Sequence, residues 1–590
     1  MEILNSKKGL LIANMFVAAT LPTLSQQKPN VIILLTDDQG FGDFSCNGNP
    51  ILKTPNFDKL HDESVRFSNF HVAPVSTPTR SQLMTGMDAM HNKACMVPAG
   101  RNLMQRDIPT MPKIFKDNGY QTGIFGKWHL GDNYPDRPMD RGFDKCVWFK
   151  GWGLASEAEY DNDYYKVRYL DGTKQKLSDK YCTDFWFDEA ISWMSDMNKK
   201  RQPFFTYLST NTPHGPFFAP EEDYNFYKQQ GLDNNTAAFF GMIKNIDSNM
   251  DKLNRWLVKN GLKENTIVVV MNDNGGTGGL KIYNANMRGG KGVNYDGGHR
   301  AVCFFRWPDG KIGKARTIEE ATQIQDLLPT FIDMIGMKQP AKAQFDGTSL
   351  KPLLKNTKNS FDDRMFVVQY GGRVKPTKGD GCVVWKSWRL VNGKELYDVS
   401  TDPSQKKNVA TANTVIFDKM KNHYDQWWTK LAGGVDELIP VVIGSKFENP
   451  VTLTCNNWLG VDVDNRSRVA EAAGAPHGGT FFIDVAQAGN YTVKLSRWPF
   501  HLNRALTLAG PEQAIGGTKL VPGKALAIAK GSVVLNQAAP IDVNSVADAK
   551  YIELEMKLAK GKNHFQAWFS DNAGNALCGA YYVSFEKKNN

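Results

Sequence analysis

Residues 31–40 read Val-Ile-Ile-Leu-Leu-Thr-Asp-Asp-Gln-Gly, an unbroken apolar run that ends in two carboxylates. Such a run is typical of a strand in a parallel sheet whose two faces are both covered. A second run, residues 266–271, is likewise followed by Asp273 and Asn274. Because parallel strands end at one edge of a sheet, these side chains are expected to lie together. The four hard oxygen donors favour Ca²⁺ or Mg²⁺ over zinc.

The two Asp and Asn pairs also have a more ordinary interpretation. Asp and Asn also cap helices and form turns, so one pair could cap a helix while the other makes a turn. The occurrence of both pairs directly after buried strands favours a common site.

A nucleophile is predicted in residues 76–86, Ser-Thr-Pro-Thr-Arg-Ser-Gln-Leu-Met-Thr-Gly. Ser76 stands two residues before a proline, four before Arg80, and in front of a helix-forming segment. This spacing puts its hydroxyl at a helix N-terminus, where free N–H groups favour an anion. Arg80 is then expected beneath that anion.

Strands and helices alternate along the first 355 residues. The pattern predicts strands at 122–125 and 204–208, and helices at 109–118 and 184–196. Thr317-Ile318-Glu319-Glu320 has the form of a capping box and predicts a helix that runs to Gly336. The fold class expected is α/β, with a mostly parallel sheet sandwiched by helices.

Further Gly-rich motifs lie between these segments. They are Gly126-Lys127-Trp128-His129-Leu130-Gly131, Asn211-Thr212-Pro213-His214-Gly215-Pro216, Arg288-Gly289-Gly290-Lys291-Gly292 and Asp296-Gly297-Gly298-His299-Arg300. With them, the chain from about Lys28 to about Leu431 resembles the type I sulfatases of the alkaline phosphatase superfamily, in the serine form of the C/S-x-P-x-R motif.

The resemblance implies a set of site residues. Ser76 would be oxidised to formylglycine by a serine-type sulfatase-maturing enzyme. The metal ligands, for Ca²⁺ before Mg²⁺, would be Asp37, Asp38, Asp273 and Asn274. The catalytic residues would be Ser76, Arg80, Lys127, His129, His214 and Lys291.

The chemistry of sulfate esters explains why cations are needed. Because the ester is an anion that repels nucleophiles, Arg80, Lys127, Lys291 and a divalent metal must neutralise its oxygens. The aldehyde hydrate expels sulfate by collapsing back to the aldehyde. By family analogy His129 takes that proton, and His214 protonates the leaving oxygen.

The serine at position 76 leaves three interpretations open: a natural serine-type sulfatase, an engineered replacement of a cysteine, or an unmodified serine acting as in a phosphatase. The function expected is hydrolysis of O-sulfate esters on a sulfated glycan. The alternatives are a phosphatase or phosphonate monoester hydrolase, and a non-catalytic binder of sulfated glycans.

The C-terminal part follows a different pattern. Residues 356–432 resemble the small antiparallel subdomain of sulfatases, and residues 433–590 alternate with period two, which predicts a β-sandwich. Residues 26–355 are then the catalytic domain. Three residues are candidates for substrate binding: Trp152, His299 and Arg497. For His299 and Arg497, packing is an equally good interpretation. The sandwich could bind carbohydrate, or it could serve only to support the catalytic domain.

Residues 1–25 have the features of a signal peptide: two lysines, a short apolar stretch and small residues near a cleavage point. The protein is therefore expected to be exported, to the periplasm or the medium. No later apolar run reaches the ~20 residues of a membrane span. The net charge of +10 comes with no nucleic-acid-binding motif. Eight cysteines lack C-x-x-C spacing, which argues against structural zinc, and some could pair in an exported protein.

Overall fold

The computed structural model describes residues 28–588 apart from residues 155–161, 362, 372–373, 462, 464, 473–475 and 516–517. The predicted signal peptide lies outside the described residues. Within them, no helix combines the length and the apolar character needed to cross a membrane.

Residues 30–354 make up the first region, which forms an α/β layer structure. Its strands are β1 (Asn30–Thr36), β2 (Val65–Phe67), β3 (Phe70–His71), β4 (Gln121–Lys127), β5 (Lys145–Phe149), β6 (Val167–Asp171), β7 (Lys174–Ser178), β8 (Phe204–Ser209), β9 (Thr266–Asn272), β10 (Arg300–Ala301), β11 (Cys303–Arg306), β12 (Arg316–Ile318) and β13 (Thr322–Gln323). Its helices are α1 (Pro55–Glu63), α2 (Ser76–Thr85), α3 (Ala89–Asn92), α4 (Met111–Asp117), α5 (Cys182–Lys199), α6 (Glu221–Lys228), α7 (Asn234–Lys259), α8 (Asp296–His299), α9 (Leu327–Ile335) and α10 (Lys351–Leu354).

Strand β1 lies at the centre of the main sheet. In the described part of the chain this sheet has ten strands, in the order β12-β2-β11-β9-β1-β8-β4-β5-β6-β7. Strands β9, β1, β8, β4 and β5 run parallel, whereas β11 and β6 are antiparallel to their neighbours. The register pairs Leu35 with Met271 and Thr36 with Asn272. The residues that follow β1 and β9 therefore emerge side by side.

Both faces of β1 are covered by helices. Its odd-numbered apolar residues share a core with Phe115 of α4 and Phe331 of α9. Its even-numbered apolar residues share a second core with Met250 and Leu253 of α7. Burial on both faces explains why the strand is apolar at every position rather than at alternate ones. The predicted α/β sheet covered by helices is confirmed.

The helix predicted from Thr317 is wrong in its first half. Residues 316–318 form β12, which pairs in parallel with β2, and α9 begins only at Leu327 after a short 3₁₀ turn. The capping box actually formed joins Gln323 and Asp326. Pairing with a distant strand thus overrides the local capping pattern in residues 317–320.

The second region contains a small antiparallel sheet. It comprises β14 (Phe366–Gln369), β15 (Gly381–Trp385), β16 (Trp388–Val391) and β17 (Glu395–Asp398), and helix α11 (Thr414–Leu431) packs on it. Arg389 of this sheet donates to Asp296 Oδ1 at 2.7 Å, and both side chains are buried. This ion pair ties the small sheet to the first region.

The third region is the predicted β-sandwich. Its strands are β18 (Val441–Ile443), β19 (Val451–Thr454), β20 (Trp458–Leu459), β21 (Thr480–Val485), β22 (Gly489–Ser496), β23 (Gln513–Ile515), β24 (Thr518–Leu520), β25 (Lys530–Leu535), β26 (Ile541–Asn544), β27 (Ile552–Leu558), β28 (Gly561–Ser570), β29 (Ala576–Gly579) and β30 (Tyr582–Lys587), with one short helix, α12 (Arg466–Ala470). One sheet is built around β21, β28 and β25, the other around β30 and β22, and one apolar core fills the space between them.

All eight cysteines carry free thiols, so no disulfide links the described regions. Seven of the eight are buried and Cys46 is half-buried. Burial raises the pKa of the Cys95 thiol to about 11 and that of Cys182 to about 12. These cysteines behave as small apolar residues of the cores.

Candidate active site

The carboxyl ends of β1 and β9 bring the predicted metal ligands together. Asp37, Asp38 and Asp273 offer carboxylate oxygens that all lie within 4.8 Å of one another, and all three residues are buried. Asp38 has a φ of 66°, and its N–H donates to Asp273 Oδ1 at 3.1 Å. Asn274 donates to Asp38 Oδ1 at 2.9 Å. The parallel register of the two strands is the direct cause of this cluster.

Three cations compensate the three carboxylates. Lys127 Nζ lies 2.6 Å from Asp37 Oδ2, Lys291 Nζ lies 2.7 Å from Asp38 Oδ1, and Arg80 Nη2 lies 2.8 Å from Asp273 Oδ2. Lys127 ends strand β4, Lys291 belongs to a loop after β9, and Arg80 belongs to helix α2. Because an unpaired buried charge costs several kcal/mol, these partners hold one another in place.

The pKa shifts of this cluster keep its carboxylates charged. Burial alone would raise the pKa of Asp37, but Lys127, His214 and Arg80 outweigh burial and lower it. Lys291 and His214 likewise outweigh burial at Asp38 and lower its pKa. Ionised carboxylates are the form that ligates a hard cation.

Ser76 is the first residue of helix α2 and is 3% exposed. Its Oγ lies 3.1 Å from Asp37 Oδ1, 3.3 Å from Asn274 Oδ1 and 3.5 Å from Lys127 Nζ. The preceding residue, Val75, is extended, so the chain enters the helix at the serine. The hydroxyl therefore sits among the metal-type donors, beside a cation and at the positive end of a helix dipole.

Arg80 lies one helical turn after Ser76 and is fully buried. Its Nη1 donates to Ser209 Oγ at 2.5 Å, and its Nη2 also lies 3.6 Å from Asp37 Oδ1. Burial opposes the charge on the guanidinium, but Tyr207, Asp273 and Asp37 outweigh it and raise the pKa of Arg80. The guanidinium is thus a permanent charge in one orientation, beneath the helix N-terminus.

Two imidazoles flank the cluster. His129 has a φ of 60°, and its Nε2 lies 3.1 Å from Thr77 Oγ1, whereas its buried Nδ1 has no hydrogen-bond partner among the described residues. Burial, followed by the charges of Lys127 and Arg80, lowers the pKa of His129 well below its ordinary value. An imidazole kept neutral in this way can accept a proton.

His214 has one ring nitrogen bonded to the backbone and the other directed toward the carboxylate cluster. Its Nδ1 lies 2.6 Å from the carbonyl oxygen of Gly215, so Nδ1 carries a proton, and its Nε2 lies 3.7 Å from Asp38 Oδ2. Burial lowers the pKa of His214. The indole of Trp152 lies beside the imidazole, with ring centroids 5.2 Å apart.

These groups open into a cavity of about 770 Å³, within the range of small-ligand sites. Of the residues predicted from sequence, Ser76, Lys127, His129, His214, Lys291 and Trp152 line it. Asp37, Asp38 and Asn274 contact these lining residues directly, whereas Arg80 and Asp273 contact Asp37 and Asp38. The wall also includes sandwich residues that sequence reasoning missed: Asn456, Asn457, Trp458 and Arg468.

Two predicted substrate contacts are corrected. His299 is fully buried behind the site, with its Nδ1 2.9 Å from His71 Nδ1. Arg497 is fully buried in the sandwich and donates to the carbonyl oxygens of Ala470, Leu508 and Lys524. Neither residue lines the cavity. Packing, the other interpretation of each, accounts for both.

The missed residues had weak sequence signals. Thr77 contacts His129 but appears in the motif only as a variable position. Arg468 lies close to buried Arg466 in an unremarkable polar stretch, and Trp498 next to Arg497 suggested a sugar contact more strongly. Which arginine reaches the cavity depends on how the sandwich docks.

Comparison with known proteins agrees with this geometry. Residues 29–337 match the family model described as Sulfatase, and residues 290–430 match the model described as N-sulphoglucosamine sulphohydrolase, C-terminal. N-acetylgalactosamine-6-sulfatase from Mus musculus is 28% identical over 421 residues, which cover 66% of this chain and 77% of the relative. Arylsulfatase J from Mus musculus is 32% identical over 343 residues, 55% of each chain.

The solved structures give a similar result. Ps i-CgsB in complex with k-i-k-neocarrahexaose superposes with a TM-score of 0.62 at 28% identity, covering 68% of this chain and 93% of the other. Neither family model reaches past residue 430. The sandwich that contributes to the cavity wall therefore lies outside both matched models.

Gly126, just before Lys127, provides a test of how tightly strand β4 is held. Its φ is 107°, and a Cβ there would lie 2.0 Å from the carbonyl oxygen of Ser209. We expect Gly126→Ala to lower the free energy of unfolding by about 3 kcal/mol or more in urea denaturation. Gly172→Ala, at φ 63° with no atom within 4 Å, is the control and should cost about 1 kcal/mol. Equal losses in the two variants would contradict this account.

Proposed function

The chain belongs to the sulfatase family and is a sulfuric ester hydrolase, and we propose that it removes O-sulfate from a glycan by means of a nucleophile made from Ser76. The observation that carries the proposal is the position of the Ser76 hydroxyl, at a helix N-terminus, 3.1 Å from Asp37 Oδ1 and 3.5 Å from Lys127 Nζ. An anion bound in front of it would meet Lys127 and Lys291 in the cavity wall.

We propose that Ser76 is oxidised to formylglycine by a serine-type maturing enzyme. The modified residue would supply a hydrated aldehyde as nucleophile and a route for release of sulfate. The fully buried Arg80 fixes charge beneath it, and Lys127 lies beside it. These cations favour the approach of an anionic ester and the charge that grows on its oxygens.

The donor set fits Ca²⁺. Asp37, Asp38, Asp273 and Asn274 supply hard oxygens that converge within a buried pocket, and no nitrogen or sulfur ligand belongs to the set. Four protein oxygens suit Ca²⁺ better than Mg²⁺, which retains most of its waters. Bound there, the ion would add positive charge toward the sulfate oxygens.

Proton transfer is assigned to the two imidazoles. Thr77 orients His129 through Nε2, and the neutral ring accepts a proton from the nucleophile side. The Gly215 carbonyl holds the Nδ1 proton of His214, so Nε2 faces the site. Once Nε2 is also protonated, next to the Asp38 carboxylate, the imidazolium can give that proton to the leaving oxygen.

A phosphatase is less well supported. Apart from the Asp37 cluster, the one further cluster of metal-ligand type in the described residues is His71, Asp296 and His299. None of these three residues lines the active-site cavity. A two-metal phosphatase would need a second ion next to the first.

The substrate class is proposed from the relatives. One is named N-acetylgalactosamine-6-sulfatase, and a similar solved structure contains k-i-k-neocarrahexaose. Both support a sulfated glycan, which an exported protein in the periplasm or medium would meet. We assign residues 26–355 and 356–432 to the catalytic unit and 433–590 to an accessory sandwich.

Maturation of Ser76 can be measured directly. On co-expression with a serine-type maturing enzyme, the peptide containing Ser76 should be about 2 Da lighter, as loss of two hydrogens requires. Hydrolysis of 4-nitrophenyl sulfate should appear together with this species. Ser76→Ala is the control and should give neither. Turnover by protein whose Ser76 is unmodified would refute the mechanism.

Calcium binding should be observable without turnover. At 100 times Kd, Ca²⁺ should raise the free energy of unfolding by about 2.7 kcal/mol. Asp38→Asn should weaken calorimetric Ca²⁺ binding at least about tenfold, because it removes a ligand charge. Asp62→Asn removes an exposed carboxylate outside the cluster and should bind as the parent does. Identical binding by both variants would contradict the assignment.

The role of His214 is tested by leaving-group dependence. His214→Ala should slow hydrolysis of a sugar sulfate by about 10²–10⁴-fold, because a sugar alkoxide needs a proton to leave. Hydrolysis of 4-nitrophenyl sulfate should fall far less, since nitrophenolate leaves unprotonated. His61→Ala, on helix α1 outside the cavity, should leave both rates unchanged. Equal losses on both substrates would exclude His214 as the acid.

A further inference from the structure

A second cavity lies in the sandwich, outside the active site. It has a volume of about 310 Å³, and its lining residues differ from those of the active-site cavity. Its floor is the outer face of the sheet built around β30 and β22, where the register places Thr452, Ser584 and Lys494 side by side. Their neighbours along the strands, such as Leu453 and Val583, belong to the sandwich core. The alternation that builds the sandwich therefore leaves this outer face polar.

The lining of this sandwich cavity is cationic. Lys494, Arg504 and Lys550 contribute to it, and within the described part of the chain no carboxylate does. Residues 433–590 as a whole carry nearly equal numbers of basic and acidic side chains. Three cations in one cavity are therefore a local feature and not the sign of a generally basic domain.

Two of these three cations have no acidic partner. Lys494 Nζ lies 3.4 Å from Glu553 Oε2, so its charge is compensated. Among the described residues, Lys550 Nζ has no ion pair or hydrogen bond, and Arg504 is bonded only through Nε, which donates to the carbonyl oxygen of Ala509. The remaining nitrogens of these two side chains do not belong to the buried polar atoms, and both residues line the cavity. An anion that enters it would therefore meet two accessible charges.

Two aromatic rings also line the sandwich cavity. Phe500 and Tyr551 meet edge to face with ring centroids 6.3 Å apart, and Tyr551 is 41% exposed. Lys494 Nζ lies 4.9 Å from the centroid of the Tyr551 ring, a contact that restrains the ring. Aromatic surface beside cations suits a sulfated sugar, because the C–H groups of the sugar pack on a ring while its sulfate pairs with the cations.

Strand β19 connects this cavity to the active site. Thr452 lines the sandwich cavity, and its carbonyl oxygen accepts at 3.3 Å from Asn133, which lines the active-site cavity. Just beyond β19, residues 455–458 form part of the active-site wall. At ~3.3 Å per extended residue, Thr452 and Asn456 lie at most about 13 Å apart. One polymer chain of several sugars is therefore long enough to contact both cavities.

Docking of the sandwich fixes the spacing of the two cavities. Glu448 Oε2 accepts from the N–H of Tyr134 at 2.6 Å, and the rings of Tyr134 and Phe447 stack with centroids 4.8 Å apart. Tyr134 belongs to the loop that follows His129. Ile515 of the sandwich is 3% exposed, because it enters the apolar core on the even-numbered side of β1. The sandwich cavity is therefore held at one distance from the catalytic groups.

We propose that the sandwich cavity is a second binding site for a sulfated polysaccharide, separate from the site that hydrolyses it. Arg504 and Lys550 pair with a sulfate on a sugar remote from the scissile ester, and Tyr551 packs against that sugar. A polymer held there raises the local concentration of its esters at the active site. Binding in this cavity involves no catalytic group, but the choice of a sulfated glycan over other polyanions rests on the proposed function.

Polymer binding can be measured with the full chain in a Ser76→Ala background, which prevents turnover. The probes are κ-carrageenan, chondroitin 6-sulfate and dextran sulfate, each immobilised on a biosensor. Unsulfated dextran and single-stranded DNA are the comparison polymers. At least one sulfated polysaccharide should bind, dextran should not bind, and DNA should bind at least about tenfold more weakly than the best sulfated polysaccharide.

Paired variants separate this cavity from general electrostatics. Arg504→Ala combined with Lys550→Ala should weaken binding of that polysaccharide about tenfold or more, because two charge-assisted contacts are lost. Lys560→Ala combined with Lys562→Ala removes the same charge at the opposite end of β27 from Tyr551, where both lysines are exposed, and should change binding less than about twofold. Because Arg504 also bonds to its own loop, Lys550→Ala alone is the second test, with an expected loss of about threefold or more.

Three results would overturn the proposal. They are binding of none of the sulfated polysaccharides, binding of DNA as tight as that of the best of them, and equal affinities in the Arg504–Lys550 and Lys560–Lys562 double variants. Failure of the proposed function gives a different result. Matured protein should hydrolyse 4-nitrophenyl sulfate at the same rate in the parent and in both double variants, since this ester is too small to reach the second cavity. Absence of this turnover in the parent would refute the proposed chemistry, while the binding comparison still reports on the sandwich cavity.

Discussion

The structure depends on the compensation of three carboxylates that two parallel strands deliver to one sheet edge. Asp37, Asp38 and Asp273 are buried within 4.8 Å of one another, where uncompensated like charges would cost several kcal/mol each. Lys127, on a third strand, and Arg80, on a helix, each form an ion pair with one of these carboxylates. The strand register brings the carboxylates together, and the charge they carry there constrains the positions of the cations around them.

The same requirement explains the position of Ser76, the proposed nucleophile. Arg80 can pair with Asp273 only if α2 begins at the sheet edge, and that places Ser76 one turn earlier, beside Asp37 and Lys127. The cations that stabilise the fold are thus the groups an anionic ester would meet. Structural and chemical roles coincide because both call for positive charge at a buried, water-poor edge.

The candidate catalytic groups and part of the cavity wall come from different parts of the chain. The sheet and α2 supply the reacting groups, and their arrangement follows the sulfatase family. The cavity is completed by the sandwich, which neither family model covers and which adds Asn456, Trp458 and Arg468 to its wall. The sandwich is docked against the loop after His129, so the cavity is shaped by two parts of the chain that are far apart in sequence.

Sequence reasoning predicted the central strands and the motif around Ser76, because continuous apolar runs and short motifs involve only a few neighbouring positions. It failed where distant pairing decides: residues 316–318 joined β2 as a strand instead of opening a helix. It also named Arg497 as a candidate sugar contact, although Arg497 is buried in the sandwich. Burial and access to the cavity become visible only in the folded chain, since they arise from docking of segments far apart in the sequence.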